Sequence, residues 1–204
     1  MVRVKICGIT RPEDAVAAAD AGADAIGLLF YEGSRRCVSR ERAAAILAEL
    51  PPFVTPVALF VNEAVETIKS ICDEVGVRTV QLHGDEPPAV ARQLAPLTVI
   101  KAFRVGSPAD LEALAGHPAS AYLLDARVEG SYGGTGESFD WALAARARRY
   151  GRIIVAGGLT PENVAEAVRV ARPFGVDTSS GVESAPGVKD KAKVAAFVAA
   201  ARGA

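Results

Sequence analysis

Short runs of valine, isoleucine and leucine alternate along the chain with longer stretches in which alanine is mixed with charged residues. Eight such apolar runs occur, and they read VRVKIC, DAIGLLF, TPVALFV, TVQLHG, TVIKAFRV, AYLLDA, RIIVAGG and GVDTSS. Their length and β-branched content predict buried strands, each followed by a helix. The helices are predicted to begin near Thr10, Ser39, Asn62, Glu86, Ser107, Ser138, Thr160 and Asp190. Thr10 and Glu13 also have the spacing of a capping box.

Regular alternation of strands and helices predicts parallel strands joined by right-handed crossovers. Eight strand–helix units in 204 residues fit an α/β fold, a compact single-domain (β/α)8 TIM barrel covering residues 1–204. The length also favours one large domain over two. A doubly wound open sheet is the alternative, but the first apolar run is not followed by the GxGxxG motif typical of dinucleotide-binding folds.

The charge pattern argues against several kinds of partner. The net charge is -1, from 23 basic and 24 acidic residues, without the basic block that binding to a phosphate backbone needs. No apolar run approaches the ~20 residues of a membrane-spanning helix. The N-terminus enters a strand directly, without the basic region and apolar core of a signal peptide. We therefore expect a cytoplasmic protein that binds neither nucleic acid nor membranes.

The cysteines do not form a recognisable framework. Cys7, Cys37 and Cys72 include no CxxC pair and leave an odd number. This spacing argues against both disulfides and a zinc site. We expect three thiols in a reducing compartment, of which Cys37 and Cys72 serve packing only.

Reactive side chains occur where the predicted strands end. In a (β/α)8 barrel the carboxyl ends of all strands meet on one face, which carries the active site. The residues at these ends are Cys7, His83, Asp125, Gly157, Gly158, Ser179 and Ser180. The alternatives are that Cys7 is a small buried hydrophobe and that Asp125 caps the following loop. That loop, ARVEGSYGGTG, is long and rich in glycine, as expected of a mobile cover over a site.

Two turns after the seventh and eighth strands have the composition of a phosphate site. They read AGGLTPENV and DTSSGVESAPG. Backbone N–H groups at Gly157 and Gly158 could approach an anion closely, and Ser180 with Gly181 could start a short helix whose positive end faces it. The alternative is that the glycine pair only makes a tight turn. Two such turns on adjacent strands favour phosphate.

Lys5 lies in the first strand, between Val4 and Ile6, where a charge is costly to bury. Alternation along the strand points Lys5 and Cys7 the same way, into the barrel. Asp177, in the neighbouring eighth strand, is the expected partner, and we interpret the two as a structural ion pair. Two further residues, Lys101 and Gln81, could join this polar layer. His83 could satisfy a core hydrogen bond or contact a substrate.

Several motifs resemble one enzyme family, and they occur in order over nearly the whole chain. They are KICGIT, LFVNE, VQLHGDE, LLDA followed by GGTGESFDW, VAGGLTPENV, and GVDTSSGVE with PGVKD. The family that these motifs resemble is phosphoribosylanthranilate isomerase. The resemblance implies an Amadori rearrangement, without metal or cofactor, of the small phosphosugar N-(5'-phosphoribosyl)anthranilate to 1-(2-carboxyphenylamino)-1-deoxyribulose 5-phosphate in tryptophan biosynthesis. By motif match, Cys7 is the general base and Asp125 the general acid.

These two roles require the reverse of the ordinary protonation order. Reference pKa values are ~3.9 for aspartate and ~8.5 for cysteine, whereas a base must be deprotonated and an acid protonated. We expect a partial inversion and a small active fraction. The start of the helix near Thr10 is expected to favour the thiolate of Cys7.

The segment GSRRCVS, after the second strand, resembles the family's Ser-Pro-Arg segment. The match places the ligand of the substrate's carboxylate at Arg36. Arg35 stands where the family often has proline, so the sequence leaves open which of the two arginines faces the carboxylate. The alternative for both is an exposed surface arginine.

Two other functions stay open at this point. Another phosphosugar barrel, such as an indoleglycerol-phosphate synthase or a ribulose-phosphate epimerase, would carry a catalytic lysine–glutamate set or metal-binding histidines. The chain has 2 histidines, His83 and His117, and this small number disfavours a metal-dependent phosphosugar barrel. A phosphate-binding module that has lost its chemistry is the third hypothesis, and the presence of Cys7 and Asp125 argues against it. A homodimer is compatible with the sequence.

Overall fold

Eight parallel strands close into a barrel in the computed structural model, which describes residues 1–126 and 140–204. The strands are β1 (Arg3–Cys7), β2 (Ala25–Leu29), β3 (Thr55–Phe60), β4 (Thr79–Leu82), β5 (Thr98–Val105), β6 (Ala121–Ala126), β7 (Ile153–Val155) and β8 (Gly175–Thr178). Neighbours in the chain are neighbours in the barrel, and β8 pairs with β1 to close it. The predicted (β/α)8 barrel is confirmed. The glycine-rich loop after Ala126 and the helix start expected at Ser138 lie outside the described residues.

Helices follow the strands and cover the outside of the barrel. They are α1 (Pro12–Asp20), α2 (Arg40–Ala48), α3 (Val65–Val75), α4 (Pro88–Gln93), α5 (Trp141–Ala147), α6 (Val164–Ala171) and α7 (Lys191–Arg202). Between β5 and β6 the connecting helix, Pro108–Leu114, is a 3-10 helix. A hairpin of β9 (Glu183–Ala185) and β10 (Val188–Lys189) precedes α7. Over the described ranges, every helix is too short or too polar to cross a bilayer.

Some predicted helix starts are capped as expected. The Ser39 side chain accepts a hydrogen bond from the backbone N–H of Arg42 at 3.2 Å. The Asp190 carboxylate accepts from Ala192 and Lys193 at the start of α7. Side-chain oxygens at these positions satisfy N–H groups that have no partner within the first helical turn.

Other starts lie later than predicted, because the polar side chains bond to neighbouring loops instead. The capping box at Thr10 is wrong: α1 begins at Pro12, and Thr10 Oγ1 donates to the backbone oxygen of Gly187 at 2.5 Å. Asn62 does not start α3 but adopts a positive φ of 52° and accepts from the N–H of Asp85. Tertiary contacts have replaced local capping at both positions.

The barrel interior is filled by small and β-branched side chains. The cluster comprises Val57, Ile100, Ala102, Ala121, Leu123, Ile154 and Ala156. Side chains alternate between the two faces of a strand, so Lys101 lies on the face opposite Ile100 and Ala102. Its Nζ lies 3.1 Å from Oε2 of Glu86, which belongs to the loop between β4 and α4. The expectation that Lys101 joins the interior polar layer is therefore wrong.

Candidate active site

A cavity of about 400 Å³ opens at the carboxyl ends of the strands. Every predicted site residue except Lys5 lines it: Cys7, Arg36, His83, Asp125, Gly157, Gly158, Asp177, Ser180 and Gly181. Arg35 also belongs to the lining. Because these residues come from strands and loops spread along the whole chain, the closed barrel is what brings them together.

Cys7 ends β1 and shares a crowded space with Lys5. In the register of β1 and β2, Cys7 pairs with Gly27. A Cβ atom on Gly27 would lie 2.7 Å from Cys7 Sγ and 3.2 Å from Lys5 Nζ. The thiol and the ammonium group therefore occupy the volume that a side chain on β2 would need, and only glycine fits there.

The electrostatic environment of Cys7 differs from the sequence expectation. Burial raises the pKa of the Cys7 thiol, and the ammonium group of Lys5 opposes this effect. Lys189 also favours the thiolate. α1 begins only at Pro12, and the ammonium groups of two lysines supply charge that favours the thiolate.

Lys5 and Asp177 form the predicted ion pair inside the barrel. Lys5 Nζ donates to Asp177 Oδ1 at 2.9 Å, and the two residues are directly paired in the register of β1 and β8. Both side chains are buried. Burial alone lowers the pKa of Lys5, but Asp177 and Cys7 together outweigh burial and raise it. Lys5 is therefore a stable cation beside the thiol.

His83 lies next to Asp125 in the cavity wall. His83 Nε2 lies 3.4 Å from Asp125 Oδ2, and His83 Nδ1 lies 2.6 Å from the Gln81 amide nitrogen. The contact with Gln81 thus holds the His83 ring with Nε2 toward the Asp125 carboxyl group.

Arg36 is held by a carboxylate that the sequence analysis did not single out. Arg36 Nε donates to Glu183 Oε1 and Arg36 Nη2 donates to Glu183 Oε2, both at 2.7 Å. Lys189 Nζ also donates to Glu183 Oε1 at 2.8 Å. Glu183 lies within the glycine-rich stretch predicted to bind phosphate, and an acidic residue among candidate anion ligands was the signal that could have identified it.

The two predicted phosphate turns pack against each other. Gly157 and Gly158 have positive φ angles of 81° and 64°, a conformation that side chains with a Cβ rarely adopt. Ser180 begins a short 3-10 helix, Ser180–Val182. A Cβ on Gly181 would lie 2.0 Å from the backbone oxygen of Leu159, so the second turn can approach the first only with glycine there. Both turns line the cavity.

Potential metal ligands are dispersed. Within residues 1–126 and 140–204, no group of three His, Cys, Asp or Glu side chains is placed to hold a metal ion.

Sequence comparison identifies the family. A family model described as N-(5'phosphoribosyl)anthranilate (PRA) isomerase matches residues 4–200. The chain belongs to this family. An N-(5'-phosphoribosyl)anthranilate isomerase of Geobacter sp. (strain M21) is 52% identical over 202 residues, covering 99% of this chain and 98% of that protein. One of Trichlorobacter lovleyi is 53% identical over 199 residues, or 97% of each chain.

Solved structures of the family agree with the barrel described here. The crystal structure of phosphoribosyl anthranilate isomerase from Thermotoga maritima superposes with a TM-score of 0.93 at 45% identity, over 100% of both chains. A structure of the enzyme in complex with reduced 1-(o-carboxyphenylamino)-1-deoxyribulose 5-phosphate superposes with a TM-score of 0.90 at 44% identity, again over 100% of both chains. The family, the barrel and the assignment of this chain as an isomerase are confirmed.

Proposed function

We propose that the chain converts N-(5'-phosphoribosyl)anthranilate to 1-(2-carboxyphenylamino)-1-deoxyribulose 5-phosphate, with Cys7 as general base and Asp125 as general acid. The observation that carries this proposal is the placement of both side chains in the wall of one cavity of about 400 Å³, on β1 and β6. A substrate spanning the barrel mouth could contact both groups.

The chemistry needs two proton transfers at separated atoms. An acid must protonate the ribose ring oxygen to open the ring, and a base must remove the proton from C2' of the resulting iminium to form the enol. The protonated imine itself accepts the electron pair. Two groups on different strands suit these two proton transfers, because the acid and the base act on different atoms of the sugar.

The direct test is the loss of fluorescence of freshly made phosphoribosylanthranilate on addition of the protein. Catalysed loss supports the proposal, and an unchanged signal contradicts it. Another phosphosugar isomerase would turn over its own substrate but not this one. A phosphate-binding module without chemistry would bind the reduced product analogue without turning over phosphoribosylanthranilate.

We propose Arg36 as the ligand of the anthranilate carboxylate. Arg36→Met should raise KM by about 10- to 100-fold with little change in kcat, because a hydrogen bond between charged groups contributes about 1.5–3 kcal/mol and acts far from the reacting carbons. Steady-state kinetics measure the effect, and thermal denaturation checks that the variant is folded. Arg35→Met is the matched control and should keep the parent KM. A raised KM in Arg35→Met with a parent-like KM in Arg36→Met would instead assign the carboxylate to Arg35.

We propose that the substrate's phosphate binds at Gly157, Gly158, Ser180 and Gly181. The support is the contact between the two turns and their position at the cavity wall. Inorganic phosphate or sulfate should occupy this corner in crystals grown with either anion, and phosphate should inhibit competitively. Density for the anion elsewhere, with only water in this corner at high anion concentration, would contradict the assignment.

We propose that the chain acts as a homodimer. The support is a structure of monomers generated from the dimeric enzyme of Thermotoga maritima, 42% identical with a TM-score of 0.90 over 100% of both chains. Phe53 is 97% exposed, and burial between two copies would remove this apolar side chain from water. Light scattering at micromolar concentration tests the proposal, and a mass equal to the chain's 21.2 kDa would contradict it.

We also propose that residues 1–204 form one catalytic domain in the cytoplasm. A barrel whose strands run from β1 to β8 supports the first part. The free thiols of Cys7, Cys37 and Cys72 support the second, since unpaired cysteines persist in reducing compartments. Limited proteolysis and cell fractionation test these two statements.

A further inference from the structure

We propose that Glu183 is a positioning residue that fixes Arg36 for the substrate's carboxylate; this rests on the proposed function. Arg36 lines the cavity, whereas Glu183 is absent from the lining formed by the described residues. Glu183 therefore acts through Arg36 and not by touching substrate. Its side chain is only 6% exposed, so the pair with Arg36 forms behind the cavity wall.

The geometry of the pair leaves one binding edge of the guanidinium group available. A guanidinium carries five N–H donors, four of which form two edges, and each edge can bind a carboxylate through two parallel hydrogen bonds. Glu183 takes the edge made by Nε and Nη2 of Arg36. Among residues 1–126 and 140–204, no hydrogen bond occupies the edge made by Nη1 and the second Nη2 proton, so this edge can take another carboxylate. Two anchoring bonds also fix the plane in which that second carboxylate must lie.

Lys189 supplies the charge that makes this arrangement attractive to an anion. A pair of Arg36 and Glu183 alone would be neutral. Lys189 Nζ lies 2.8 Å from Glu183 Oε1, and its side chain is 0% exposed. The cluster of Arg36, Glu183 and Lys189 therefore carries a net positive charge. Lys189 Nζ also donates to the backbone oxygen of Ser179 at 3.1 Å, which ties the cluster to the loop after β8.

The hairpin that carries Glu183 and Lys189 is anchored to helix α1. Lys189 donates its backbone N–H to Asp14 Oδ2 of α1 at 3.1 Å, and Gly187 donates to Glu183 Oε1 at 3.2 Å. Arg36 reaches the hairpin across Gly8, where a Cβ would lie 2.6 Å from Arg36 Cδ. These contacts hold Arg36 specifically, which favours Arg36 over Arg35 as the carboxylate ligand.

Glu183→Gln tests the role with almost no change in shape, and Ser184→Ala on the same strand is the matched control. We expect Glu183→Gln to raise KM for phosphoribosylanthranilate about tenfold with kcat within about twofold of the parent, because uniform binding is lost. Ser184→Ala should match the parent. In a double-mutant cycle, Arg36→Met combined with Glu183→Gln should be no worse than Arg36→Met alone, since both changes remove one interaction.

Binding of two product analogues separates positioning from general stability. Glu183→Gln should weaken binding of the reduced carboxyphenylamino analogue about tenfold. The affinity for its phenylamino counterpart, which lacks the carboxylate, should stay within about twofold of the parent value. An equal loss for both analogues, or additive effects with Arg36→Met, would overturn the proposal. If Glu183→Gln does not fold, Arg36→Lys provides the test, because an ammonium group cannot offer two carboxylate-binding edges. Parent-like affinity of Arg36→Lys for the carboxyphenylamino analogue would overturn the proposal. If the parent protein itself did not turn over phosphoribosylanthranilate, that result would contradict the proposed function and not this inference.

Discussion

Cys7→Ser should lower kcat at least 100-fold, because a positioned general base contributes about 10²- to 10⁴-fold and a serine hydroxyl is a far weaker base than a thiolate. Asp125→Asn should have a similar effect, since an amide cannot supply the proton for ring opening. Steady-state fluorescence assays measure both. The two variants should still bind the reduced product analogue, because neither side chain is proposed to hold phosphate or anthranilate.

Cys37→Ser is the matched control for the base. Cys37 is a half-buried thiol outside the cavity lining found among the described residues, so its loss should leave kcat near the parent value. If Cys7→Ser kept more than about a tenth of kcat, the change would correspond to only ~1.4 kcal/mol of barrier and Cys7 would not be the base.

Alkylation gives an independent measurement of the same thiol. Iodoacetamide should inactivate the enzyme at Cys7, and the product analogue should protect it. Burial raises the pKa of Cys7, so the thiolate is the minor form at neutral pH and the inactivation rate should increase as pH rises. Cys72, whose pKa burial raises to about 11, should stay unlabelled under the same conditions.

Lys5→Met should destabilise the barrel strongly. The change leaves the Asp177 carboxylate buried without its 2.9 Å partner, and removing one member of a buried ion pair costs about 3–5 kcal/mol. At about 2–4 °C per kcal/mol for a chain of this size, the melting temperature should fall by roughly 6–20 °C. Calorimetry measures the shift.

The catalytic effect of Lys5→Met should be separable from its effect on stability. The Lys5 cation opposes the rise of the Cys7 pKa, so its loss should raise that pKa further and lower both the thiolate fraction and kcat. The double variant Lys5→Met with Asp177→Asn removes both charges and should recover most of the stability but not kcat. Recovery of kcat as well would mean that Lys5 has only the structural role predicted from the sequence.

The pH dependence of this ion pair follows from the direction of the Lys5 shift. The pKa of Lys5 is raised in the folded protein above its unfolded value of ~10.4. The contribution of the Lys5 charge is therefore present below about pH 10 and is lost as pH rises through the folded pKa. Burial also raises the pKa of Asp177, so the pair is lost on the acid side as well, when that carboxylate is protonated. Urea titrations of parent and double variant at a series of pH values should show the parent's advantage shrinking in the alkaline range where Lys5 loses its proton.

The amino-acid sequence by itself determined the barrel and the end of the barrel that carries the chemistry. Alternating apolar runs and helices leave parallel strands as the consistent arrangement, and the carboxyl ends of parallel strands must then meet on one face. The positions of Cys7 and Asp125 at those ends follow from strand order alone. The partner of Lys5 was predictable for the same reason, because β1 and β8 must pair when the barrel closes.

Only the tertiary structure decided the contacts between loops. Glu183 and Arg36 are 147 positions apart, and Thr10 and Gly187 are 177 apart, so their meeting depends on strand register and loop path and not on local propensity. The side of the sheet on which Lys101 lies depends on the register of β5. A short apolar run in the sequence does not fix that register to within one residue. The protonation bias of Cys7 depended on burial and on two lysine ammonium groups, because a pKa responds to the folded surroundings and not to the neighbours in the chain.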